Sequence, residues 1–378
     1  MSEATSPSLW AHLATLPDPR VERTRRHELL EIITIAFCAV LCGADSWVDI
    51  ELFGKAKLAW LRTFLRLPNG IPSHDTFGRV FARLDPTQFQ ACFLSWVQTV
   101  AGQFEGELIA IDGKTVRGSH DQSNGKAAIQ LVSAWAETNR LVLGQVAVAS
   151  KSNEITAIPV LLEVLALQGC IVTIDAMGCQ TAITQAIRDR GGDYVIALKE
   201  NQPTLYEAVA TAFAELRAAS PPARAEWYQR TVDGGHGRIE VRQYWTIAEP
   251  ELLAYLNATG VWAGLASVGM VERERRTPTK TTREVHYYLS SLDGDVATFA
   301  RAARGHWGIE NRLHWVLDVA FREDDCRVRV GYAAENFALL RHGALNLLRQ
   351  DRSLKVGIKA KRLRAGWDEA YLRRVLSN

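Results

Sequence analysis

Two aspartates stand at the ends of apolar runs: Asp112 in Ala110-Ile111-Asp112-Gly113-Lys114, and Asp175 in Val172-Thr173-Ile174-Asp175-Ala176. Open α/β sheets bind ligands at the carboxyl ends of their strands, so an acid emerging there belongs to a site rather than to a core. Either one alone is a weak signal, since an Asp-Gly after a strand is commonly just a hairpin turn. Taken together, two carboxylates on neighbouring strands repel unless a cation lies between them, which makes a Mg²⁺ or Mn²⁺ site the economical reading. A two-metal site needs a third carboxylate, carried by a helix across the strand ends, and Glu310 is the best offer. It lies in Arg304-Gly305-His306-Trp307-Gly308-Ile309-Glu310-Asn311-Arg312-Leu313-His314-Trp315. His306 and His314 stand four residues to either side, so one helix face carries a carboxylate flanked by imidazoles. Asp318, Asp324 and Asp325 compete for the same role. The two histidines lack the H-E-x-x-H spacing of a zinc site, and the other acids favour a hard, oxygen-liganded ion.

The elements that must position these residues change character along the chain. The first hundred residues read as helices: Leu29 to Leu41 is apolar nearly all round, Lys57 to Leu67 gives a second helix, and His74 to Leu84, capped by Ser73, a third. The last two flank Leu67-Pro68-Asn69-Gly70 and could form a helix-turn-helix with Ser73, His74, Thr76 and Arg79 facing DNA, although a plain helical bundle is the simpler reading. From Leu108 the period shifts to that of strands: Leu108 to Asp112, Ala127 to Ala136 and Leu141 to Ala149, with connections short enough for antiparallel neighbours. A helix from Ser152 to about Leu167 follows, then a strand from Cys170 to Asp175, a helix from Gln180 to Arg190, a strand from Tyr194 to Leu198, and a helix after Pro203. Helices of this length between strands imply parallel crossovers. Three antiparallel strands followed by two parallel ones is the order of a ribonuclease H-like α/β fold.

Residues 220–293 turn strand-rich again, with Trp227 to Val232, Arg238 to Ile247, Val261 to Val271 and Glu284 to Ser290, and read as a β-rich insertion. Ala297 to Ala320 has helical spacing weakened by Gly305 and Gly308. An apolar helix from Glu335 to Leu348 precedes a basic tail. The expected organisation is an N-terminal helical unit (1–100), the first part of the core (101–219), the insertion (220–293), core helices carrying Glu310 (294–350) and the tail (351–378).

Composition narrows the class. With 378 residues, 47% apolar and 23% charged, the chain is neither disordered nor of low complexity. Its longest apolar stretch, Ile32 to Cys42, is too short to span a bilayer, and no cleavable leader opens the chain, so a cytoplasmic location is expected. The six cysteines show no C-x2-C pair, which argues for reduced thiols rather than disulfides or zinc. The net charge of +2 announces no partner, but residues 351–378 hold eight Lys/Arg against three acids, an excess able to neutralise phosphates. No G-x-x-x-x-G-K or G-x-G-x-x-G follows a strand, which disfavours a nucleotide-binding enzyme.

The stretches Ala110-Ile111-Asp112-Gly113-Lys114-Thr115-Val116-Arg117-Gly118-Ser119, Asp193-Tyr194-Val195-Ile196-Ala197-Leu198-Lys199-Glu200-Asn201-Gln202 and Gly305-His306-Trp307-Gly308-Ile309-Glu310-Asn311 resemble the DDE transposases of bacterial insertion sequences. The closest likeness is to the ISAs-one group, which includes the H-repeat-associated proteins and is similar to the IS-four superfamily. The resemblance covers almost the whole chain. It implies a ribonuclease H-like core in which Asp112, Asp175 and Glu310 bind two divalent metals, interrupted by a β-rich insertion. The long interval between Asp175 and Glu310 suits that insertion. One departure stands out: where the wider superfamily has Tyr, Arg and Lys around its Glu, this chain has Ala303, His306 and Leu317. Phosphate contacts are therefore expected from Arg304, His306, Asn311 and His314. Further DNA contacts are expected from Lys114 and Arg117, from Lys199 and Asn201 past a strand end, and from His236 and Arg238 in the insertion.

The resemblance implies phosphoryl transfer on double-stranded DNA without a covalent enzyme intermediate. Water nicks the transposon end at its terminal inverted repeat, and the freed 3′-hydroxyl attacks target DNA, with two Mg²⁺ (or Mn²⁺) ions per site. A homodimer is expected from the need to hold two ends. Two other readings stay open at this point: a decayed or host-adopted DNA-binding protein, and a ribonuclease H-like nuclease that cuts without joining.

Overall fold

Runs of β-branched and aromatic residues from Leu108 onward pair into one continuous sheet. The computed structural model describes residues 8–101, 106–120, 125, 127–148, 152–219, 226–235 and 237–377. Within these the strands are β1 (Leu108–Thr115), β2 (Gln130–Ala136), β3 (Leu141–Ala147), β4 (Ile171–Ile174), β5 (Asp193–Leu198), β6 (Tyr228–Gly235), β7 (Arg238–Ile247), β8 (Ser267–Arg276) and β9 (Thr281–Ser290). They form a nine-stranded sheet in the order β3-β2-β1-β4-β5-β9-β8-β7-β6. β1 to β3 are antiparallel neighbours, while β4 and β5 run parallel to β1, reached through helices Glu154–Val164 and Thr181–Asp189. The result is a mixed α/β molecule with a large sheet and many helices.

The strand-rich residues 228–290 do not fold into a separate layer. β9 docks antiparallel on the free edge of β5, and β8, β7 and β6 continue the same sheet outward. The strand expected from Val261 starts only at Ser267. The side chain of Asn257 explains the delay: its Nδ2 donates to the Trp262 carbonyl at 3.0 Å and its Oδ1 accepts from the Trp262 N–H at 3.0 Å, so neither group is left for a ladder.

Each face of the sheet carries its own apolar packing. On one side Leu29–Leu41 and Ala333–Gln350 are buried almost throughout, which is why they read as apolar on every face. On the other side helix Val296–Gly305 lays Phe299 against Leu108, Ile171, Val195, Tyr244 and Val271. Gly269 makes this possible, since a Cβ there would stand 2.2 Å from the Phe299 ring.

One expectation about the helical parts is corrected. The single helix over Lys57 to Leu67 is instead Trp47–Ala56 followed by a short Leu58–Leu61, with Leu67 at φ 45° in a turn. The Leu67 N–H donates to the buried Glu31 carboxylate at 2.9 Å, which fixes that turn. The basic tail carries two helices, Ile358–Trp367 and Glu369–Leu376. Their cations are partly structural. Arg362 is buried, donates to the Val40 carbonyl at 2.8 and 3.0 Å and to the Ala320 carbonyl, and stacks over Phe321 at 4.2 Å. Lys361 donates to the carbonyls of Leu348 and Asp351. All six cysteines are free, and among the described residues no helix is long and apolar enough to cross a membrane.

Arg362 thus ties the first apolar helix, the segment after Glu310 and the C-terminal helices into one body. Arg362→Met keeps much of the stem packing but leaves carbonyls of Val40 and Ala320 without donors, so it is expected to lower unfolding free energy by about 3 kcal/mol, read by urea denaturation.

Candidate functional site

Parallel pairing sets the two aspartates side by side. Ile111 of β1 is in register with Ile174 of β4, so Asp112 and Asp175 are the next residues on adjacent chains, whose spacing in a sheet is about 4.8 Å. Alternation along each strand then assigns the face. Leu108 belongs to the apolar cluster around Phe299 and reaches the helix at Gly305, and the Thr173 hydroxyl meets Nδ1 of His306 at 3.1 Å. Asp112 and Asp175, an even number of residues further on, share that face with the segment that bears Glu310.

That segment reaches the strands because it is trimmed of side chains. A Cβ on Gly305 would stand 2.0 Å from Leu108, and one on Gly308 would stand 2.0 Å from the Glu137 carboxylate. The glycines that weaken a helix by propensity are what allow this one to lie close to β1 and the β2–β3 turn. Residues Ile309–His314 are wound as a π-helix between α-helical turns, a distortion that recurs at functional positions. Arg312 pairs with Glu137 and its carbonyl accepts from Arg349, which fixes the distorted turn from both sides.

The electrostatics record the convergence. Burial, and the charges of Asp175, Glu310 and Glu154, push the Asp112 carboxyl up to about 7, against a hydrogen bond from the Gly113 N–H at 2.9 Å. Asp175 caps the turn that follows it, its Oδ1 accepting from Met177 at 3.1 Å and Gly178 at 3.4 Å. Glu310 itself is exposed. His314 brings Nδ1 to 3.5 Å from Asp112 Oδ2, while its Nε2 is buried without a hydrogen-bond partner among the described residues. Burial, aided by the charge of Lys114, lowers His314 to about 4, and burial lowers His306 against the pull of Asp175, so both imidazoles are neutral at pH 7.

The remaining candidate residues divide. Lys114 is turned inward, and its ammonium is shared by Asp318, Glu323 at 2.9 Å and Asp324 at 3.9 Å. The same pairing occupies Asp318 and Asp324, and Arg322 takes Asp325 at 3.2 Å, so the competitors of Glu310 are engaged elsewhere. Arg117 is 82% exposed and faces Asp324 at 3.5 Å. Lys199 is exposed, and Asn201 donates to the Ala176 carbonyl at 2.7 Å, bracing the turn after Asp175. Asn311 donates to the Trp307 carbonyl at 3.0 Å, and Arg304 is exposed. His236 lies outside the described residues. Arg238 begins β7 and pairs with Glu240 at 3.2 Å.

The register of β9 shows what the added strands do for this site. Leu198, the last residue of β5, is opposite Tyr287, so β9 continues from His286 back to Thr281 beyond the end of β5. At about 3.3 Å per residue, the added strands overhang the strand ends that carry Asp112 and Asp175 by roughly 20 Å. Arg238 stands at the far end of that overhang, and Arg273 closer in, with its guanidinium 4.4 Å from the Trp307 ring centre. Arg273, Arg304, Trp307 and His286 line a cleft between the overhang and the Glu310 segment.

Comparison with known proteins bears on this arrangement. Residues 10–97 match the family model described as DDE_Tnp_1-associated, and residues 103–347 match the Transposase DDE domain. The chain is a DDE transposase of the H-repeat-associated type. It is 39% identical to "H repeat-associated putative transposase YhhI" of Escherichia coli (strain K12), over 98% of this chain and 97% of that one. It is 40% identical to "Putative transposase YncI" of Escherichia coli O157:H7, over 98% and 95%. Among solved structures a piggyBac transposase synaptic complex with hairpin DNA matches at a TM-score of 0.40 and 10% identity, covering 96% of this chain and 76% of that one.

Two features of the transposase site escape a reading of the sequence. Glu154 opens a helix, where an acid ordinarily serves the helix dipole. Here it is buried, accepts from Gln130, and packs on Gly113, whose Cβ would lie 2.0 Å from its Oε1. Burial and the charge of Asp175 raise its pKa. The only signal was the glycine after Asp112. Arg273 sits in Glu272-Arg273-Glu274-Arg275-Arg276, which has the pattern of a solvated strand, and its approach to Trp307 is visible only in three dimensions.

A carboxyl with a raised folded pKa keeps a proton that the unfolded chain has released, so it costs stability as pH rises from about 4 to 7. In EDTA, Asp112→Asn is expected to be more stable than the unaltered transposase by up to about 4 kcal/mol at pH 8, with the difference vanishing toward pH 4. Denaturation across that pH range measures it. Glu323 behaves oppositely. Burial opposes its charge, but Lys114 and Arg341 outweigh burial and hold its pKa below the usual range. Glu323→Ala strands the Lys114 and Arg341 cations and is expected to cost about 3–5 kcal/mol at neutral pH, by the same measurement.

Proposed function

We propose that this transposase cleaves transposon ends and joins their 3′-hydroxyls to target DNA at a ribonuclease H-like centre formed by Asp112, Asp175 and Glu310. The observation that supports this reading is the charge on the face above β1 and β4: Asp112 feels Asp175, Glu310 and Glu154 at once. The strand directions of β1 to β5 agree with a ribonuclease H-like core.

The donor set is chemically suited to Mg²⁺ or Mn²⁺, being carboxylate oxygens only. Among the described residues no three His, Cys, Asp or Glu side chains are grouped closely enough to hold one ion, so side-chain rotation must bring the acids together on binding. Asp112, Asp175 and Glu310 are the residues that would hold the ions. Ions bound there would supply Lewis-acid stabilisation of the attacking and leaving oxygens of an in-line displacement.

The chain's own groups do the rest. His306 and His314, neutral and flanking the acids, can each exchange a hydrogen bond with a phosphate oxygen or a nucleophilic hydroxyl without adding charge. Asn201 holds the turn after Asp175, and Arg312 with Glu137 holds the Glu310 turn, so the acids are presented from braced backbone. Arg304, Arg273 and Lys199 supply positive charge beside them for the DNA backbone. Arg117, Asn311 and Arg238 are the other expected contacts. Double-stranded DNA carrying terminal inverted repeats, and target DNA, are the partners, acted on in the cytoplasm by a homodimer that holds two ends.

A labelled duplex carrying the sequence that flanks the gene, incubated with protein and Mg²⁺, tests the reading. The unaltered chain is expected to nick and then join the end, and Asp112→Asn, Asp175→Asn and Glu310→Gln each to lose at least about 10³-fold in rate while still binding the duplex. Full activity in Asp112→Asn overturns the assignment. Nicked ends with no joined product reduce the function to a nuclease.

A further inference from the structure

Far from the carboxylates in sequence, the N-terminal helices carry a second cationic concavity. Helix His74–Arg83 turns Phe77, Val80 and Phe81 into the core, where Trp47 stacks on Phe81 with ring centres 5.0 Å apart. The outward face shows Thr76, Arg79 and Arg83. Facing it is a strap that runs into helix Leu29–Leu41 and contributes Arg20, Arg26 and His27. The two walls enclose a cleft of about 560 Å³.

The strap is rigid. Arg20 makes a two-pronged pair with Asp18 at 2.9 and 2.7 Å and donates to the His27 carbonyl at 2.6 Å. Arg25 donates to the Arg20 carbonyl, and Asn69 to the Arg26 carbonyl. These bonds consume Arg20 and Arg25 but leave Arg26 presented. Among the described residues the side chains of Arg26 and Arg83 have no hydrogen bond or ion pair, and Arg79 uses only Nε, on the Asp75 carbonyl at 3.1 Å. His27 Nδ1 is buried with no hydrogen-bond partner among them. Three exposed guanidiniums held apart on two braced walls are a poor arrangement for folding stability, because like charges repel. They are a good one for an extended polyanion.

We propose that this cleft grips the phosphate backbone of duplex DNA through Arg26, Arg79 and Arg83, as a binding site separate from the carboxylate centre. The lining has no Trp, Tyr or Phe, so it offers no stacking platform for a single strand, and cations with hydroxyls suit phosphates. The inference depends on DNA being the substrate but not on the identity of the catalytic acids.

The test uses the full chain in EDTA and fluorescence anisotropy with two labelled duplexes of equal length, one carrying the gene-flanking end sequence and one unrelated. Arg26→Ala/Arg79→Ala/Arg83→Ala is expected to bind about 10–100-fold more weakly, with the dependence of log K on log salt shallower by about 2–3. Arg26→Lys/Arg79→Lys/Arg83→Lys should recover most of the affinity, and Arg230→Ala/Arg301→Ala, exposed cations elsewhere on the surface, should leave it unchanged. Equal loss on both duplexes assigns the grip to backbone phosphates of any DNA. Greater loss on the end sequence assigns it to transposon ends. Unchanged binding in the triple Ala variant, or an equal loss in the Arg230/Arg301 variant, overturns the proposal. Asp112→Asn in the same assay should bind normally, so failure of this site and failure of the catalytic assignment are read separately.

Discussion

Like charge crowded onto one end of a parallel strand pair is the constraint around which this molecule is arranged. The register of β1 and β4 leaves Asp112 and Asp175 adjacent, and the segment above them adds Glu310 while Glu154 closes in from the side. Nothing about folding rewards such an arrangement, since each carboxyl raises the cost of charging the next. The surrounding structure holds it by over-determination: a capped turn after Asp175, a π-helical turn clamped by Glu137 and Arg349, and glycines at 113, 305 and 308 that remove every side chain in the way. Strain kept in one place and supported on all sides is the usual mark of a site in use.

Charge of the opposite kind is sorted as strictly. Lys114, two residues from Asp112, is neutralised by Asp318, Glu323 and Asp324, so its ammonium stays away from the acids it might have quenched. Arg362 and Lys361 are absorbed by backbone carbonyls. What remains presented lies where a polyanion can reach it: Lys199 and Arg304 beside the acids, Arg238 at the tip of the overhang, and Arg26, Arg79 and Arg83 on the N-terminal helices, while Arg273 is half-buried between Trp307 and Glu284. Counting lysines and arginines along the chain gives no hint of this partition, because structural and presented cations look alike in one dimension.

The same limit explains the errors in the elements. Local pattern located all nine strands, since alternation and β-branched runs are local properties. It says nothing of where the added strands go. Sheet extension through a β5–β9 edge pairing joins residues about ninety positions apart, and edge choice depends on which ladder groups are left unpaired after the core has formed. The start of β8 and the ends of the helix near Lys57 were set by Asn257 and Glu31, side chains that claim backbone groups from a distance.

Residue order alone was enough to nominate Asp112, Asp175 and Glu310, the transposase family and the sequence of strand directions, because these rest on short motifs and periodicity. Tertiary structure decided which cations are free, that Glu154 stands beside the acids, and that β6 to β9 overhang them rather than form a domain of their own. The physical reason is the range of the forces. Hydrophobic alternation acts between neighbours in the chain, whereas burial, ion pairing and carboxylate repulsion act between whatever the fold brings within a few ångströms.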